Sequence, residues 1–144
     1  MSTTWILIAN ASQARLFINE GPNKGLKLLK ELFHPESREK ASDLVSDHPS
    51  HYKSGGNGSY IQPPDPKEHE AETFALELAK ELEHGRTSNR FQRLIVAATP
   101  AFLGKINNRL SNHVSDLVSN TLRKDYTKAN EKELAVHLEK LIFL

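Results

Sequence analysis

The six residues Ser54-Gly55-Gly56-Asn57-Gly58-Ser59 place three glycines in four positions, the densest such group in the 144-residue chain. Backbone without Cβ atoms takes φ of either sign and can lie close against a ligand. A loop of this kind can lay its main-chain N–H groups against a ligand that side chains would block. It is also good turn chemistry, because Gly-Asn-Gly suits a reversal of the chain. Four histidines, His34, His48, His51 and His69, fall within 36 residues, accompanied by Asp43, Asp47 and Asp65. Imidazole and carboxylate are ligands for a divalent cation. No pair of these histidines has the i, i+4 spacing on a clear helix that a zinc protease uses, so separate surface histidines are expected, with no metal and no cofactor. A third set is cationic. Residues 84–128 carry a net charge of +6 through Arg86, Arg90, Arg93, Lys105, Arg109, Arg123, Lys124 and Lys128, whereas residues 35–83 carry −6. Two solvated faces explain this partition, and so does a face built for phosphates. On the second reading Arg86, Arg90, Arg93, Lys105 and Arg109 are the candidate phosphate contacts.

Several chemistries are excluded outright. The chain has no cysteine, so thiolate metal sites, disulfides and cysteine nucleophiles are absent. It has no G-x-G-x-x-G, no G-x-x-x-x-G-K-[ST] and no G-x-S-x-G pattern. The longest apolar run, Trp5-Ile6-Leu7-Ile8-Ala9, is far too short to span a membrane. No basic stretch precedes it, so no secretory signal is read and a cytoplasmic location is expected. A pI near 8.0 is low for a dedicated nucleic-acid binder.

The elements that must position these residues follow from periodicity. Residues 5–9 form a continuous apolar run, the pattern of a strand buried on both faces. Asn10-Ala11-Ser12-Gln13 interrupts it, and Arg15-Leu16-Phe17-Ile18 reads as a second strand pairing back on the first. After the turn residues Gly21-Pro22-Asn23-Lys24-Gly25, residues 26–33 fit strand and helix patterns alike, and the short turns favour a third strand of a meander. Residues 35–65 read as a long polar Gly/Pro-rich loop, a kind of segment that is functional or disordered. Asp65 and Pro66 with Glu68 mark a helix start. Ala71, Phe74, Ala75, Leu78, Ala79 and Leu82 give its apolar stripe, and Gly85 its expected end. Residues 94–98 predict a buried strand, and Phe102, Leu103, Ile106 and Leu110 a second helix. A strand is expected around Val114 to Leu122. Asn130 and Glu133 cap a last helix with the stripe Leu134, Leu138, Leu141 and Ile142. The expectation is a single α/β domain over residues 1–144, a mixed β-sheet flanked by helices.

Several stretches together resemble a bacterial family named for attachment to host cells. They are Trp5-Ile6-Leu7-Ile8-Ala9-Asn10-Ala11-Ser12-Gln13-Ala14-Arg15-Leu16-Phe17, His34-Pro35-Glu36-Ser37-Arg38, Asp43-Leu44-Val45-Ser46-Asp47 and Phe74-Ala75-Leu76-Glu77-Leu78-Ala79. The pattern continues through Ala97-Ala98-Thr99-Pro100-Ala101-Phe102-Leu103-Gly104 and Lys124-Asp125-Tyr126-Thr127. That family in turn is similar to the central domain of the eukaryotic and archaeal peptide-chain release factor, which implies an RNase H-like fold. In the release factor a Gly-Gly-Gln loop precedes a long helix and promotes peptidyl-tRNA hydrolysis on the ribosome. Gly55-Gly56-Asn57 stands in the matching place, so the resemblance implies Gly55, Gly56 and Asn57 as the candidate catalytic residues, with main-chain N–H groups stabilising a developing oxyanion. Asn is one methylene shorter than Gln, about 1.5 Å along the side chain, and errors of about 1 Å can cost on the order of 10²-fold in rate. The resemblance implies ribosome or tRNA as partner and a role in translation or ribosome rescue. The alternatives are an interaction protein for attachment to host cells and a peptidyl-tRNA hydrolase. Metal-dependent nuclease chemistry is rejected, since the strands read at 5–9, 15–18 and 94–98 hold no carboxylate.

Overall fold

The computed structural model describes residues 2–34 and 66–142. Strands β1 (Thr4–Ala9), β2 (Gln13–Asn19) and β3 (Lys27–Phe33) form an antiparallel meander. Helix α1 (Pro66–Thr87) returns the chain to β4 (Arg93–Ala98), which lies parallel to β1. Helices α2 (Pro100–Arg109) and α3 (Asn112–Ser115) precede β5 (Val118–Leu122), parallel to β4, and α4 (Glu131–Leu138) closes the order. The strands lie in the order β3-β2-β1-β4-β5.

All six residues of β1 are buried because it lies in the middle of the sheet. The period of two sorts its side chains. Trp5, Leu7 and Ala9 face one core with Leu94, Val96 and Ala98 of β4 and the stripe Phe74, Ala75, Leu78 and Leu82 of α1. Ile6 and Ile8 face the other with Ile95, Ala97 and, from α4, Leu134 and Leu138. The apolar run is therefore a strand covered by helices on both sides.

Three expectations need correction. The last helix, read with the stripe Leu134, Leu138, Leu141 and Ile142, ends at Leu138, and Leu141 and Ile142 follow it in a turn. Gly85 does not end α1, which continues to Thr87. A Cβ on Gly85 would lie 2.4 Å from Cη2 and Cζ3 of Trp5 and 3.1 Å from Cε1 of Phe91, so glycine serves close approach there. The left-handed turn that follows falls on Asn89, at φ 57°. The strand expected around Val114 to Leu122 begins only at Val118. Ser111 accepts a hydrogen bond from the Val114 N–H at 3.1 Å and caps the short α3, which turns Val114 into the core. β3 is the edge strand that the meander required. It carries a bulge, since Leu16 pairs with Lys30 but Phe17 with Leu28, leaving Leu29 extra.

Candidate functional site

Gly55, Gly56 and Asn57 lie outside the described residues, as do His48, His51, Asp43, Asp47 and Asp65. His34 ends β3 against α1: its Nε2 is 2.7 Å from Glu70 Oε2, its Nδ1 is 3.8 Å from Glu77 Oε2, and its ring stacks on Phe74 with centroids 5.3 Å apart. His69 is exposed on α1. Among the described residues no group of three or more His, Asp or Glu side chains is placed to hold a metal ion.

The five candidate cations fall into separate settings. Arg86 meets Glu83 through two hydrogen bonds, Nε to Oε1 at 3.2 Å and Nη2 to Oε2 at 2.7 Å. The Ser111 hydroxyl donates to the same Oε1 at 2.8 Å. Hydrogen bonding from Arg86 first, then from Ser111, lowers the Glu83 carboxyl to about 2, and Glu83 raises the Arg86 guanidinium above its usual value. Lys105 of α2 reaches α1 at Glu68 Oε2, 2.6 Å, and Glu72 Oε1, 3.3 Å. Hydrogen bonding to Glu68 is the main reason that its ammonium is held above the ordinary range. Arg109 shares Glu72 at 3.5 Å. Arg93 opens β4 and donates to Ser119 Oγ, Asn120 Oδ1 and the carbonyl of Leu141, so it ties β4, β5 and the C-terminal turn together. Arg90 is exposed and makes no ion pair among the described residues. The fold thus brings Lys105 and Arg109 together on Glu72 and leaves Arg86, Arg90 and Arg93 elsewhere around the end of α1 and the start of β4.

A different constellation joins residues 112 to 117 positions apart. Asn10, directly after β1, donates from Nδ2 to Asp125 Oδ2 at 3.0 Å and to Thr127 Oγ1 at 3.1 Å. Its own Oδ1 accepts from the Ser12 and Gln13 N–H groups. Arg15 donates to the carbonyls of Thr127 and Ala129 at 3.3 and 2.6 Å. Burial pushes the Asp125 carboxyl up, but the bonds from Asn10 and Thr127 outweigh it and hold the group below its ordinary value. Nothing in the spacing of the sequence pairs Asn10 with Asp125. The turn residues at 10–13 were the only local signal.

A family model described as "Protein required for attachment to host cells" matches residues 5–138. The chain belongs to this family. The match runs from Trp5 of β1 to the end of α4. Among solved structures, the fold is similar to that of the archaeal translation termination factor aRF1, with a TM-score of 0.52 and 15% identity over 96% of this chain. It is also similar to a structure titled only "Archaeal protein", with a TM-score of 0.51 and 17% identity, again over 96% of the chain. The chain spans 41% of the first and 33% of the second. No curated protein matches it. The likeness establishes the fold of this host-attachment family member: a five-stranded mixed sheet flanked by helices, RNase H-like.

Proposed function

We propose that this member of the host-attachment family is a ribosome-associated factor acting in translation or ribosome rescue. The observation that supports it is the likeness to the archaeal termination factor aRF1 over 96% of the chain. On this reading Gly55-Gly56-Asn57 precedes α1 as the Gly-Gly-Gln loop precedes the long helix of the release factor, and presents main-chain N–H groups to the peptidyl ester. Gly55 and Gly56 meet the need for close backbone approach, and preorganised N–H donors stabilise an oxyanion. Phosphate contacts fall to Arg90 and Arg109 first, the more exposed of the cations, with Arg86, Arg93 and Lys105 beside them.

Sedimentation with ribosomes at low and high salt tests the proposal. The protein is expected to pellet with ribosomes at low salt and to be released as salt rises. Absence from the pellet at every salt concentration, with stalled as well as idle ribosomes, would overturn it. If the loop also hydrolyses peptidyl-tRNA, Gly56→Ala is expected to abolish peptide release from stalled complexes and leave sedimentation intact. The family description favours a second reading, an interaction protein for attachment to host cells. Protease treatment of intact cells that make the protein separates the two: degradation without lysis supports attachment, and protection supports the ribosome.

A further inference from the structure

Several cations packed along α1 are already neutralised: Arg86 by Glu83, Lys105 by Glu68 and Glu72, Arg109 by Glu72 and Lys30 by Glu81. Exposed cations without an ion pair among the described residues include Lys24, Lys80 and Arg90, which stand apart from one another in the chain, and a group of three close together. Arg123, Lys124 and Lys128 are exposed, and none of them lies within ion-pair distance of a carboxylate among the described residues. All three sit on residues 123–128, which follow β5.

This stretch is held in place. Asn10 holds Asp125 and Thr127, Gln13 donates to the Thr127 carbonyl at 3.4 Å, and Arg15 grips the carbonyls of Thr127 and Ala129. It therefore crosses the sheet at the carboxyl end of β1 and the start of β2. Asp125, its one carboxylate, is committed: Oδ2 accepts from Asn10, and Oδ1 from the Thr127 N–H and hydroxyl at 2.8 and 2.6 Å. Lys124 Nζ lies 5.6 Å from the centroid of the Tyr126 ring, and that ring meets the exposed His137 with centroids 4.9 Å apart. Exposed cations without an ion-pair partner on a fixed backbone, beside the exposed His137 ring, are what an RNA strand recognises: the cations displace counterions from phosphates and the imidazole stacks on a base. Fixing the segment in advance lowers the ordering cost of binding.

We propose that residues 123–128 and His137 form an RNA-docking surface, with Arg123, Lys124 and Lys128 on successive phosphates. The choice of RNA among polyanions rests on the translational reading above. The net charge of +1 sets the contact as a weak and strongly salt-dependent one.

Fluorescence anisotropy of a labelled single-stranded RNA oligonucleotide, titrated over a range of salt, tests this. The wild type is expected to bind at low salt, and the Arg123→Ala/Lys124→Ala/Lys128→Ala variant to bind at least tenfold more weakly. Its plot of log affinity against log salt should be shallower by about 2, since each phosphate left without its cation takes about 0.7 from the slope. The pair Lys24→Ala/Lys80→Ala, exposed lysines that make no ion pair among the described residues, serves as control and is expected to change affinity less than threefold. An unchanged slope in the triple variant, an equal loss in the control, or no binding by the wild type would overturn the surface. If the triple variant loses its far-UV spectrum, the single substitutions are measured instead, each expected to lower the slope by about 0.7. Sedimentation of the triple variant separates this from the parent reading. Ribosome binding that persists unchanged defeats the docking surface alone. Oligonucleotide binding lost in the variant, in a protein that never pellets, defeats the ribosomal role alone.

Discussion

Gly85 shows how one position can oppose its own propensity. In an exposed helix interior, Gly→Ala stabilises by roughly 1 kcal/mol. Here the new methyl would stand 2.4 Å from the Trp5 ring, which is 3% exposed and packed on Phe91. Overpacking of this kind costs about 1–3 kcal/mol, so Gly85→Ala is expected to destabilise. Urea unfolding followed by the fluorescence of Trp5, the one tryptophan in the chain, reads the sign directly; a raised midpoint would contradict the close contact. Glu83 gives a second prediction. Its carboxyl is held at about 2 against an ordinary 4.5 by Arg86 and Ser111. A depressed folded value contributes stability that is present above pH 4.5 and is lost as pH falls through about 2. The difference in Tm between wild type and Glu83→Gln is therefore expected to be full at neutral pH, to shrink below 4.5 and to vanish near 2. A pH-independent difference would show that the charge is not what Ser111 and Arg86 recognise.

Among the elements, α4 is the one whose local chemistry does most. It has eight residues and buries Leu134 and Leu138 over Ile6 and Ile8. So short a helix is marginal alone, and its start is fixed by a reciprocal box: the Glu133 N–H donates to Asn130 Oδ1 at 2.8 Å and the Asn130 N–H to Glu133 Oε1 at 3.1 Å. Asn130→Ala is expected to lower stability by about 1 kcal/mol, within the 0.5–2 typical of a lost cap, read as a lower urea midpoint with an unchanged slope. This cap was legible in the sequence because both partners lie within four residues. So were the strands at 5–9 and 94–98 and the stripe of α1. The region at 113–122 was not, because Val114 is apolar whether it faces a core from a strand or from one turn of helix. Only the bond from the Val114 N–H to Ser111 and the depth of the core at that point decided for the helix.

At the scale of the whole molecule, the five-stranded sheet in the order β3-β2-β1-β4-β5, with helices on both faces, gives a fold similar to that of the archaeal termination factor, of which the chain spans 41%. The basic stretch at 84–128 was visible as composition, yet its meaning was not. A count of charges cannot tell that Lys105 and Arg109 spend theirs on Glu68 and Glu72, nor that Arg123, Lys124 and Lys128 stand beyond ion-pair distance of any carboxylate among the described residues. By itself the sequence determined the strands at 5–9 and 94–98, the buried stripe of α1 and the cap of α4, because periodicity and capping are local and each is written within a few residues. The tertiary structure alone decided which distant groups meet: Gly85 under Trp5, and Asn10 holding Asp125 across 115 positions. Those meetings depend on how whole elements pack, and solvent exclusion rewards any arrangement of apolar faces without naming the polar partners at their rims.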